Sequence, residues 1–219
     1  MLWLSVKCHA QEYRYEVGAA AALAGYLGDA GPKIPFVPPG FGLSIVSRYN
    51  INFRMAGYLA LDYTLYRGNL RYAHSEFPQA TEARFATSTF LLNPAFEYHF
   101  YPYSDKFSFR HTRRLVPYIA LGFAAGVGLK AQGGLFFIPG LTGALGLKYK
   151  LANRWNITCS LGGKYFFTDK LEAGSKDAAW LDNPLAIAKA PFKGNDGGVA
   201  LTIGLTYEFG KRTSGCNNL

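Results

Sequence analysis

No stretch of this chain holds eighteen consecutive apolar residues, so no helix able to cross a bilayer is expected. Zinc-ligand spacing, a phosphate-gripping Gly-x-Gly-x-x-Gly ahead of a helix and a Gly-x-Ser-x-Gly elbow are all missing, so no metal, cofactor or serine nucleophile is expected. Charged residues make up 17% of the chain against 49% apolar, which excludes a disordered polypeptide and allows a large core within a single domain. The net charge of +9 is not gathered on one aromatic-interleaved platform, so nucleic acid is not an expected partner. What the chain does have is Gly 25, Phe 17 and Tyr 15. That mixture suits a sheet closed on itself, with an apolar exterior in lipid and a small or polar interior.

The clearest pattern comes last. Val199, Leu201, Ile203, Leu205, Tyr207 and Phe209 share one parity, with Ala200, Thr202, Gly204, Thr206 and Glu208 opposite. The ending Thr202-x-Gly204-x-x-Tyr207-x-Phe209 resembles the terminal signal by which bacterial outer-membrane barrels are recognised for insertion. The same alternation recurs from the start of the chain, where Tyr13, Tyr15, Val17, Ala19, Ala21 and Leu23 face away from Arg14, Glu16, Gly18, Ala20 and Ala22. A second strand is expected over 41–49, then a tight turn at Asn50-Ile51-Asn52, then a third with Phe53, Met55, Leu59, Leu61, Tyr63 and Leu65 outward. A fourth carries Phe90, Leu92, Phe96, Tyr98 and Phe100 outward and Thr89, Asn93, Glu97 and His99 inward, with a bulge expected at Pro94. A fifth spans 116–129 and a sixth about 139–149. A turn at Leu151-Ala152-Asn153 leads to a seventh, in which Trp155, Ile157, Leu161, Tyr165 and Phe167 oppose Asn156, Thr158, Ser160, Gly162 and Lys164.

Eight such strands, with Tyr13, Tyr15, Tyr49, Phe53, Tyr98, Tyr149, Trp155, Tyr207 and Phe209 near their ends, predict an all-β fold. It is an eight-stranded antiparallel transmembrane β-barrel with periplasmic termini and long extracellular loops, integral to the bacterial outer membrane and in contact with its lipid. A secreted β-sandwich is the soluble alternative, but it would not place aromatic belts on its exposed side. A barrel of eight strands is just wide enough for side chains to fill, so no solute channel and no small-molecule substrate are expected. The inward charged candidates are Arg14, Glu16, Arg54, Asp62, Glu97, His99, Lys164 and Glu208, of both signs, as internal ion pairing requires.

Residues 1–10 look like the back half of a secretory leader with Cys8-x-Ala10 at its cleavage site; a lipoprotein cysteine at Cys8 is the alternative. The barrel is expected over 11–211 and a periplasmic tail over 212–219. Cys159 falls on an outward parity. Cys216, in the tail, is open to an intermolecular disulfide, a lipid modification or a free thiol, and the two are not expected to pair.

With short turns and termini in the periplasm, the inner end gathers twelve basic residues against five acidic ones, while the outer half is nearly balanced. A basic rim attracts an acidic protein surface; headgroups of the inner leaflet would be attracted too. The inner turn over 102–114 is long for a periplasmic hairpin, and its Phe107 and Phe109 among cations are of the residue types that carry interface energy. The candidate partner-binding residues are Phe107, Phe109, Arg110, Arg113, Arg114, Lys211, Arg212 and Cys216. An enzymatic alternative pairs Glu97 with His99, as in lipid-modifying barrels. An external-binding alternative, an OmpX-like surface barrel, would use the outer loop over 168–196, with Trp180 and Phe192.

Four segments together resemble PorG, the small outer-membrane barrel of the type IX secretion machinery, and its barrel relatives. They are Tyr26-Leu27-Gly28-Asp29, Arg48-Tyr49-Asn50-Ile51-Asn52, Glu97-Tyr98-His99-Phe100-Tyr101-Pro102-Tyr103 and Val116-Pro117-Tyr118. Where that family continues Gly-Asp with Leu-Asn, this chain has Ala30-Gly31-Pro32. The resemblance implies a non-enzymatic component that links the membrane to a periplasmic ring of PorK and PorN.

Overall fold

The computed structural model describes residues 13–27, 36–69, 84–104, 113–129, 134–168, 171 and 196–211. The alternating segments form eight strands: β1 Tyr13–Leu27, β2 Gly40–Asn50, β3 Met55–Asn69, β4 Arg84–His99, β5 Leu115–Leu129, β6 Leu135–Ala152, β7 Trp155–Phe166 and β8 Gly197–Lys211. Each pairs antiparallel with its sequence neighbours, and β1 pairs with β8 from Tyr13↔Lys211 to Leu27↔Gly197, so the sheet closes as a barrel. Closure leaves no strand edge unpaired, which is the condition for a sheet to sit in hydrocarbon. The shortest strand has 11 residues and the longest 18, enough to cross a bilayer at the usual tilt. Both ends of the chain's barrel, the 51–54 turn and the Asn153-Arg154 turn lie at one end, the inner end.

Parity governs what each side chain meets. Outward residues stay exposed in the free molecule, among them Leu43 at 65%, Leu121 at 62% and Leu145 at 61%. So wide an exposed apolar band has no place in water. Aromatic clusters bound it at both ends. Tyr15 contacts Tyr49 and Phe209, each at 5.6 Å between centroids, and Trp155 meets Tyr207 at 5.1 Å near the inner end. Tyr63–Phe90 at 5.0 Å and Tyr165–Phe167 at 5.7 Å lie toward the outer end. Tyr13 and Phe53 do not belong to this girdle, as they are buried at the inner floor.

Inside, large rings are accommodated by glycines at their register partners: Phe85 faces Gly68, Phe136 faces Gly128 and Tyr118 faces Gly146. A Cβ on Gly146 would lie 2.6 Å from the Tyr118 ring, so space is what these glycines provide.

Several expected boundaries move. β6 extends beyond 139–149 at both ends, and β3 begins at Met55, leaving Phe53 in the turn. The turn before β7 is Asn153-Arg154, with the register shift between Lys150 and Ala152 beside it. The bulge expected at Pro94 is absent. β4 keeps one register with β3 throughout and the same register with β5 on both sides of the proline, Leu92↔Ala125 and Ala95↔Gly122. The β5 ladder lapses at Asn93 and Pro94, because proline has no N–H to give, and no extra residue is inserted.

Candidate functional site

The inner half of the lumen is a charged layer. Arg48 on β2 donates from Nη1 to Glu16 Oε1 at 3.0 Å and from Nε to Glu97 Oε2 at 2.9 Å. Lys148 on β6 reaches Glu16 Oε2 at 2.6 Å, Thr206 donates to Glu16 Oε1, and the His99 ring meets Glu97 Oε1 at 2.8 Å. Nearer the floor, Lys150 and Asn156 share Glu208 at 2.5 and 2.8 Å. These groups are all within a few percent of complete burial. Burial of charge is tolerable here because every carboxylate meets a cation and further donors.

Parity puts Arg48, Lys148 and Lys150, three of the twelve basic residues counted at the inner end, inside the lumen and not on its rim. Arg54 moves the other way: expected in the lumen, it is exposed in the 51–54 turn. Arg14 also leaves the lumen. Tyr13 is buried at the floor, and the Arg14 guanidinium lies 6.0 Å from the ring centroid of Tyr49, which is exposed on the outer wall.

The described ends of the long inner turn, at Tyr103, Ser104 and Arg113, help to close the floor. Tyr103 is buried, stacks on His99 at 5.8 Å, takes Lys148 Nζ at 4.7 Å from its ring, and donates its hydroxyl to Asn156 Oδ1 at 2.6 Å. Backbone bonds from Tyr103 N to Phe53 O, Ser104 N to Arg113 O and Arg113 N to Pro102 O fasten it to the neighbouring turn and to its own far end. Tyr103→Phe is expected to cost about 1–2 kcal/mol, since Asn156 loses its donor in a dry site. The urea midpoint of the detergent-folded protein would report it.

Above the charged layer lies a cavity of about 90 Å³, room for a small cluster of waters. It is lined by small residues such as Ser44, Ala120 and Ser160, by Tyr58 and Tyr118, and by the Asp62–Lys164 pair at 2.5 Å, with Asn93 Nδ2 donating to Asp62 at 2.7 Å. Higher still, Tyr26, Tyr66, Phe85, Leu91, Phe136, Ile138, Phe166 and Leu171 pack as an apolar stopper. Asp196 ties the outer loop to it, accepting from the Tyr26 hydroxyl and, at 2.9 Å, from Leu171 N, while Thr87 donates to Leu171 O at 2.7 Å.

At the rim, Arg54, Arg113 and Arg114 are exposed, and no carboxylate among the described residues pairs with them. Arg113 lies 4.2 Å over the Tyr101 ring. Of the candidate partner-binding residues, Arg113 and Arg114 stand side by side on this rim, and Lys211 ends β8. Phe107, Phe109, Arg110, Arg212 and Cys216 lie outside the described residues, as do the leader with Cys8, and Trp180 and Phe192 of the outer loop. In the Asn153-Arg154 turn, hydrogen bonds first to Tyr207 and then to Tyr13 hold the Arg154 guanidinium above the ordinary arginine pKa. Glu97 and His99, the enzymatic alternative, are spent on the network and sealed from solvent. Cys159 is outward and exposed, as its parity predicts.

A closed eight-stranded barrel with a continuous apolar exterior between two aromatic girdles defines an integral outer-membrane β-barrel protein. No family model matches the sequence, and no curated protein matches it. Among solved structures the chain is similar to Neisserial surface protein A, with 16% identity and a TM-score of 0.52 over 89% of this chain and 97% of that one. It is also similar to Ail, the attachment invasion locus protein of Yersinia pestis, with 12% identity and a TM-score of 0.47 over 90% and 100%. OprG from Pseudomonas aeruginosa matches with 11% identity and a TM-score of 0.49 over 92% and 98%. At such identities the likeness is one of fold.

Proposed function

We propose that this barrel is a non-enzymatic anchor that docks an acidic periplasmic partner on its inner end. The observation that carries this reading is a separation of charge. Glu16, Glu97 and Glu208 are withdrawn into the lumen together with Arg48, Lys148 and Lys150. Three cations and three acids are withdrawn together, and Arg54, Arg113 and Arg114 face out without acidic neighbours among the described residues. A surface of one sign steers an oppositely charged partner and sets its orientation.

The resemblance to PorG gives that partner an identity. It would be a ring of PorK and PorN type in a type IX secretion machinery, met by Phe107, Phe109, Arg110, Arg113, Arg114, Lys211, Arg212 and Cys216. Affinity purification of the full chain from intact envelopes tests this. Recovery of acidic periplasmic proteins should fall on the order of tenfold or more in R113E/R114E, and more steeply with added salt than for a hydrophobic contact. Undiminished recovery in that variant would overturn the assignment of the rim.

A further inference from the structure

Two arginines at the inner end have a setting unlike the rim cations. By alternation Arg14 belongs in the lumen beside Glu16, yet it is turned onto Tyr49 at 6.0 Å, and Tyr49 is part of the outward aromatic stack with Tyr15. The Arg14 Nε is shut off from solvent and has no hydrogen-bond partner. Arg154 is held at two of its three nitrogens, Nε donating to Tyr13 Oη at 3.3 Å and Nη1 to Tyr207 Oη at 2.9 Å. Tyr207 in turn packs on the exposed Trp155. The remaining amino group, Nη2, has no partner among the described residues, and neither arginine pairs with a described carboxylate.

We propose that Arg14 and Arg154 each hold the phosphate of a phospholipid in the inner leaflet, on the wall side of the barrel near the β8–β1 seam. The Arg14 guanidinium lies beside Tyr49 of the inner girdle and that of Arg154 beside Tyr207, each 6.0 Å from the ring centroid, and girdle aromatics mark headgroup depth. The anion native to that depth is a phosphodiester, whose oxygens match the planar donors of a guanidinium. Ring faces beside each cation suit the apolar start of the lipid's chains; Arg154 Nη2 is left for an acceptor from outside the chain, and the unpartnered, buried Nε of Arg14 shows that its guanidinium is not satisfied by the described residues. A protein docking beneath the floor would meet the exposed Arg113 and Arg114 first. Arg14 and Arg154 are half-buried, and each lies against a ring of an outward aromatic cluster, Tyr49 and Tyr207 respectively.

Native mass spectrometry of the full chain, released from mixed micelles, tests the proposal with phosphatidylglycerol as probe and a galactosyl diacylglycerol of the same chains as the phosphate-free control. Wild type should retain phosphatidylglycerol and not the galactolipid. R14Q and R154Q should each lower its retention by about threefold or more, while R14K and R154K, which keep charge but lose the planar fork, should fall between. Folding of each variant is checked by its heat-modifiable gel mobility, and the lysine variants carry the test if a glutamine variant fails to fold. R113E/R114E should leave lipid retention unchanged, which separates this proposal from partner docking. Equal retention of the galactolipid, or wild-type retention in the folded glutamine variants, would overturn it. So would displacement of the lipid by inorganic phosphate alone, because the site would then recognise the free ion.

Discussion

Replacing Arg48 with methionine should destabilise the barrel by about 3–5 kcal/mol, the usual result of removing one member of a buried ionic network. Arg48 bridges two carboxylates at 3.0 and 2.9 Å, and its guanidinium also lies 5.0 Å from the Tyr58 ring centroid. Without it Glu16 keeps Lys148 and Thr206, but Glu97 keeps His99 alone. A carboxylate sealed from water with so little compensation must take up a proton or pull water into the lumen, and either weakens the fold. The size of the loss does not measure what the network adds to wild-type stability, since much of it is the cost of stranding Glu97. A double variant, R48M/E97Q, which leaves the Glu16–Lys148 pair in place, should therefore recover a large part of it. Equilibrium urea unfolding into and out of detergent micelles gives both numbers. A wild-type midpoint for R48M would mean that the lumen is wet enough to solvate these groups.

The second large effect concerns the opposite face. Ile203 lies midway along β8, paired with Ala21 on β1 and Cys159 on β7, and is 56% exposed. On a water-soluble protein, Ile→Arg at such an exposed position would change stability by no more than about 0.5 kcal/mol. In hydrocarbon it should cost about 2–4 kcal/mol, and Phe209→Arg, at the inner girdle, about 0–1 kcal/mol. Folding of both variants into phospholipid vesicles, titrated with urea, measures the gradient along one strand. Equal effects at the two depths would remove the bilayer from the description.

All eight strands were legible in the sequence, because a period of two with one oily parity leaves few other solutions over so many segments. The inward acids Glu16, Glu97 and Glu208 were legible for the same reason. Their partners were open to the same rule: Lys148 and Lys150 alternate with Leu147, Tyr149 and Leu151, and Arg48 shares the parity of Ser44 and Val46. Sorting them by distance from a turn, instead of by face, sent them to the rim. Other features were beyond local pattern. The exchange of Tyr13 and Arg14 happens where a strand begins and alternation has little hold. Tyr103 closes the floor through tertiary contacts with His99, Asn156 and Phe53 that come from three different segments. At Pro94 the ladder bond is missing but no residue is inserted; a closed sheet tolerates the first without the second, and local pattern does not distinguish them.

Tyr103 below and the apolar cluster around Phe136 and Leu171 above bracket the cavity in the middle of the barrel. A solute following the barrel axis through the described residues would have to push packed rings aside at two levels, so this part of the lumen serves as a filled strut more than as a passage.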